Sequence, residues 1–148
     1  LRHFKLIVLS LSILSNITVS QNLKCSGNNG AGDADWVILY KGPTQANGKV
    51  LLSTAPGNWD NGAAPLANPA GHSFAGSLTG VVADSPNIKF LAIRKISISF
   101  HAIYDAGVII VSTAPGANEG KWIVHTVPGF PAAKTGYNWP AAETAKGH

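Results

Sequence analysis

Residues 107–127 constrain the fold more than any other stretch. "GVIIVS", Gly107 to Ser112, and "KWIVHTV", Lys121 to Val127, are short apolar runs flanking the loop "TAPGANEG". Two β-prone runs around a Gly/Pro/Asn loop predict an antiparallel hairpin. In the second run the alternation places Trp122, Val124 and Thr126 on one face. Ile123, His125 and Val127 fall on the other. One histidine therefore stands within an apolar strand.

Four further runs read as strands. "DWVILYK", Asp35 to Lys41, is apolar on both faces, which predicts a strand buried on both sides. "KVLLST" follows the Gly42-Pro43 and Asn47-Gly48 turn signals. "NIKFLAI", Asn87 to Ile93, and "KISISFH", Lys95 to His101, come next, the latter with Ile96, Ile98 and Phe100 opposite Ser97, Ser99 and His101. "STAPG" occurs at Ser53–Gly57 and again at Ser112–Gly116, each time after an apolar strand, so the same turn is expected twice. Only Gly71–Ser85 has helical spacing, through Phe74, Leu78, Val81 and Val82, and its glycines weaken the signal. The chain after Pro128 is rich in Pro, Ala and Gly and reads as a connection. The expected class is α+β or α/β: a strand-rich mixed sheet with few helices.

Composition explains less than it first suggests. The 148 residues are 45% hydrophobic and 12% charged, against about 25% charged in ordinary soluble domains. Part of the apolar excess sits at the start. Arg2, His3 and Lys5 precede "LIVLSLSIL", and Thr18 and Ser20 stand at −3 and −1 of a cut before Gln21. That pattern is read as a secretory signal peptide over 1–20, leaving a domain over 21–148, secreted or lysosomal, with no membrane span after removal. The cut takes two basic residues with it, so the formal charge drops from +4 to +2. Such a charge does not by itself argue for nucleic acid. Cys25 is the only cysteine, so it has no disulfide partner in the chain.

The chain has no P-loop, no CxxC, no HExxH and no G-x-S-x-G. His101, Asp105 and His125 match no standard metal spacing, and neither a metal nor a cofactor is expected. His125 has two readings: a hydrogen-bonded imidazole within a strand, or a general acid/base or phosphate ligand. Period and spacing do not choose between them.

Three segments, in order, resemble the deoxyribonuclease II family. "LKCSGNNGAGDADWVILYKGP", Leu23 to Pro43, is similar to the start of the mature family protein. "GKWIVHTVPGFP", Gly120 to Pro131, resembles its Trp-x-x-His segment, and "YNWP", Tyr137 to Pro140, the Tyr/Trp-Pro motif that follows. The resemblance implies one half of a phospholipase D-like fold. It also implies acid, metal-independent hydrolysis of DNA, with a His-x-Lys from each half gripping the phosphate. His125 matches the histidine of the Trp-x-x-His segment. The His-x-Lys positions hold Tyr104, Asp105 and Ala106, which implies impaired catalysis, and Asp105 sets a negative charge where a phosphate would lie. His101, three residues earlier, is the one candidate substitute. The second half of the family fold is absent, and the cysteine that would pair with Cys25, expected near Thr144, is missing. The expectations are therefore a catalytically impaired relative that keeps DNA as a partner, an active nuclease within a longer chain or a homodimer, or a secreted interaction protein without a DNA role.

Overall fold

The computed structural model describes residues 23–93 and 106–148. Residues 1–20, the 95–101 run, His101, Tyr104 and Asp105 lie outside them.

Eight strands, one helix and one 3-10 turn make up the described chain. A two-stranded ribbon joins β1 (Cys25–Ser26) to β2 (Asp33–Ala34). β3 (Val37–Tyr40), β4 (Lys49–Leu52) and β5 (Asp60–Asn61) form a three-stranded sheet in chain order. Helix α1 (Ser73–Val82) follows. Then β6 (Ile88–Ile93), β7 (Ala106–Ser112) and β8 (Gly120–His125) form a second three-stranded sheet, again in chain order.

This corrects the expected single mixed sheet. Among the described residues every strand pairs with its neighbour in chain order, and every pair is antiparallel. The helix connects two different sheets rather than crossing over one, which removes the source of parallel pairing. The class is α+β.

The hairpin forms as its sequence predicts, with Ala106 opposite His125, Val108 opposite Ile123 and Ile110 opposite Lys121. Both STAPG segments make the same turn. The amide of Asn58 donates to the Ala55 carbonyl and that of Ala117 to the Ala114 carbonyl. Each turn has Pro at its second position and a glycine with positive φ at its third, 92° for Gly57 and 79° for Gly116. That is the backbone a type II turn requires.

The core lies between α1 and the inner face of the β6–β8 sheet. Leu78 and Val81 of α1 pack with Ile88, Val108 and Ile110, and Leu66, Val127, Phe130 and Trp139 close the cluster. Full burial of such side chains contributes about 1.5–3 kcal/mol each. The segment after β8 holds turns and a 3-10 turn (Ala141–Glu143). It is tied down by Phe130 and Trp139 in the core and by the Tyr137 hydroxyl, which donates to the Leu66 carbonyl at 2.6 Å. The helix is capped by His72, whose Nδ1 accepts from the Ala75 amide at 3.2 Å while Nε2 meets the Asn68 carbonyl at 2.9 Å. Its Gly76 allows contact with the ribbon: a Cβ there would stand 2.7 Å from the Gly30 carbonyl oxygen and the Ser26 Oγ.

A second correction concerns β3. Val37 and Leu39 are half-buried, but Ile38 and Tyr40 are 51% and 54% exposed. Only one face of that sheet meets a second layer of described residues. The outer face of the β6–β8 sheet is apolar and open as well, with Leu91, Ile109 and Trp122 in one cross-strand row.

Candidate functional site

His125 ends β8 on its inward face and is buried. Cross-strand pairing sets Ala106 directly opposite it, also buried. The imidazole ring stands edge-on to Phe74 at 6.0 Å and to Phe130 at 6.4 Å. Its Nδ1 accepts from the Val127 amide at 3.3 Å. That bond places the ring proton on Nε2, which is buried and meets no partner among the described residues. Burial, with help from the neighbouring charge of His148, pushes the His125 pKa down to about 4. The ring is therefore neutral at neutral and mildly acid pH and presents one unsatisfied N–H donor.

A cavity of about 270 Å³ opens beside it. Its walls are mostly apolar, from Leu39 and Val37 of β3, Leu66, Phe74 and Trp139. Cys25, Ser73, Ser77, Thr126 and His148 add polar atoms, and no lysine or arginine among the described residues lines it.

A polar cluster lies at one end of this cavity. The Lys41 ammonium is almost completely buried and donates to the carbonyl of Thr144 at 2.7 Å and to that of Lys146. Glu143, also buried, faces Lys146 at 2.8 Å and His148 Nε2 at 3.1 Å. The contact with His148 is an ion-pair distance without hydrogen-bond alignment. His148 Nδ1 lies 3.2 Å from the Thr126 hydroxyl. Burial lowers the His148 pKa against the pull of Glu143.

The structure thus brings Ala106 and His125 together and sets Cys25 on the same cavity as a half-buried free thiol. Tyr104, Asp105 and His101 lie outside the described residues. Among the described residues no three His, Cys, Asp or Glu side chains converge as a metal site would need. Sequence reading missed Lys41, Glu143 and His148. The only local signal was Lys41 itself, on the inward alternation of Val37 and Leu39, where a lysine needs a buried partner.

Comparison with known proteins gives one relative at low identity. The chain is 26% identical to deoxyribonuclease-2-alpha of Sus scrofa over 143 residues, covering 84% of this chain and 38% of that protein. It thus spans about two-fifths of the relative's length. No family model and no solved structure matches.

Proposed function

We propose that this chain is a deoxyribonuclease II-like protein corresponding to the N-terminal half of that fold, with its DNA-cleaving chemistry impaired. The observation that carries the reading is the Ala106–His125 pair. The position at which the family resemblance asks for a phosphate-holding lysine is an alanine, and it sits opposite the one site histidine the chain retains. The 26% identity to a deoxyribonuclease supports the relationship to that family.

The chemistry follows from the geometry. A neutral imidazole with its proton on Nε2 offers a hydrogen bond to a phosphoryl oxygen. Negative charge there would favour the protonated ring and raise its pKa. What the cavity lacks, among the described residues, is a cation to stabilise charge building on the phosphoryl group. Such electrostatic stabilisation usually contributes most to catalysis of this kind. Binding without turnover is the expected result. Residues 1–20 fit a secretory route, and the domain over 21–148 fits a secreted or lysosomal protein. Among the described residues no helix is long and apolar enough to cross a membrane.

A second reading has its own observation. The open apolar sheet face, with Trp122 72% and Val124 62% exposed, fits a homodimer or another protein partner rather than a DNA surface.

The test is plasmid cleavage at about pH 5, near the working range of imidazole, in EDTA, with His125→Ala alongside. No cleavage together with salt-sensitive retention on DNA supports the impaired relative. Cleavage that His125→Ala abolishes overturns the impairment. Neither cleavage nor retention at low salt leaves the protein-partner reading.

A further inference from the structure

Three polar side chains meet in series beside the cavity: the Thr126 hydroxyl, the His148 imidazole and the Glu143 carboxylate. His148 Nδ1 lies 3.2 Å from Thr126 Oγ1, and His148 Nε2 lies 3.1 Å from Glu143 Oε2. Burial is graded along the series. The Glu143 and His148 side chains are 6% and 9% exposed, whereas Thr126 is exposed. Thr126 and His148 both line the cavity.

The two inner members are held from behind. The Lys41 amide donates to the His148 carbonyl at 2.7 Å, and the His148 amide donates to the Lys41 carbonyl at 2.8 Å. Trp139 stands edge-on to the His148 ring at 5.9 Å. The Lys146 ammonium donates to Glu143 Oε1 at 2.8 Å. His148 Nε2 and Glu143 Oε2 are both buried without an aligned hydrogen-bond partner, and each faces the other. A terminal carboxylate turns about a soft torsion, so a small rotation completes that bond. The carboxylate accepts, which puts the ring proton on Nε2 and leaves Nδ1 to accept from the Thr126 hydroxyl. Burial lowers the His148 pKa from its ordinary value, so the ring is neutral at neutral pH. A neutral imidazole that faces a hydroxyl on one side and is oriented by a carboxylate on the other activates an oxygen nucleophile.

The walls select the reaction. No described lysine or arginine lines the cavity, which disfavours transfer of a charged phosphoryl group. Acyl transfer instead builds one negative charge on one oxygen, and a backbone N–H can meet it. The Thr126 amide donates to no described residue. Val37, Leu39, Trp122 and Val124 give the same cavity an apolar lining suited to an acyl chain.

We propose that Thr126 is the nucleophile of a second activity, the hydrolysis of esters that carry an uncharged, apolar acyl group. Thr126 Oγ1 bonds to the ester carbonyl carbon while its proton passes to His148 Nδ1. The bond from that carbon to the alcohol oxygen breaks, and His148 returns the proton to the departing alcohol. Water then attacks the acyl-threonine by the same route and releases the carboxylic acid. Glu143 is a positioning residue that acts through His148. The inference does not rest on the nuclease reading, whose pair, Ala106 and His125, takes no part in these steps.

The test is hydrolysis of p-nitrophenyl butyrate by the protein at neutral pH, with Thr126→Val as the main variant because that side chain is exposed. A rate lower by about a hundredfold or more in Thr126→Val is expected, together with a butyryl group on Thr126 in the acid-quenched wild type. Glu143→Gln is expected to lower kcat with KM unchanged; a change in KM alone removes Glu143 from the mechanism. Full hydrolysis by Thr126→Val overturns the proposal, as does a wild-type rate no greater than that of free imidazole. A butyryl group found on lysines and not on Thr126 overturns the assigned nucleophile. A wild type that retains DNA but hydrolyses no ester sinks this activity and leaves the nuclease reading standing.

Discussion

At the residue scale, His125 and Lys41 show how differently two buried polar groups can be held. Lys41 satisfies its ammonium with two carbonyls from the Thr144–Lys146 turn and lies near the Glu143 carboxylate. Lys41→Met removes those bonds and leaves both buried carbonyls without their donor. A loss of about 3 kcal/mol is expected, read as a lower denaturant midpoint with unchanged slope. His125 instead leaves one donor unsatisfied and remains neutral. Its folded pKa of about 4 lies below the ordinary 6.5 expected for the unfolded chain. The unfolded state therefore binds the proton first, and stability falls as pH drops from about 6.5 to about 4, by up to about 3 kcal/mol. His72 and His148 are shifted the same way. His125→Phe is expected to flatten part of that decline in a series of melts across the window. An unchanged slope would mean that the other two histidines carry it.

At the element scale, α1 is set by a conflict between propensity and packing. Its glycines cost helix stability of about 1 kcal/mol each relative to alanine, so on propensity alone Gly76→Ala and Gly80→Ala both stabilise. The neighbours say otherwise. A Cβ at Gly76 meets the Gly30 carbonyl oxygen at 2.7 Å, whereas one at Gly80 meets only the Ile88 side chain at 3.2 Å. Gly76→Ala is expected to destabilise by about 1–3 kcal/mol, since backbone cannot move aside cheaply. Gly80→Ala is expected to stay close to neutral. Thermal melts of the two variants check the order. Helical spacing was legible in the sequence because Phe74, Leu78, Val81 and Val82 repeat locally. The reason for Gly76 was not, because its contact lies on a ribbon some fifty residues earlier in the chain.

At the scale of the whole molecule, the open sheet faces set the behaviour. Leu91, Ile93, Ile109, Val111, Trp122 and Val124 form one exposed apolar surface on the β6–β8 sheet. Surfaces of this kind are uncommon on isolated monomers. Concentration-dependent association is expected in sedimentation, with Leu91→Glu and Trp122→Glu together returning a monomer. A wild-type monomer at high concentration would argue against a partner on this face.

The features legible in the sequence alone are local. The alternation in Lys121 to Val127 told which side chains share a face, with His125 beside Ile123 and Val127; burial in the folded chain told which face lies inward. The two STAPG segments told where the chain turns and with which glycines. Both are set by neighbours within a few residues, and backbone geometry alone translates them into structure. Long-range features needed the folded chain: three small antiparallel sheets instead of one mixed sheet, β3 open on one face, and Lys41 joined to Thr144, Lys146 and His148 across about a hundred positions. An apolar strand reads the same whether its edge is paired or free, because pairing depends on which distant segment arrives beside it. The same limit holds at the site. The sequence named His125 and Ala106, but their facing each other, and the cavity that no described lysine or arginine lines, came from the packing of strands and aromatic rings.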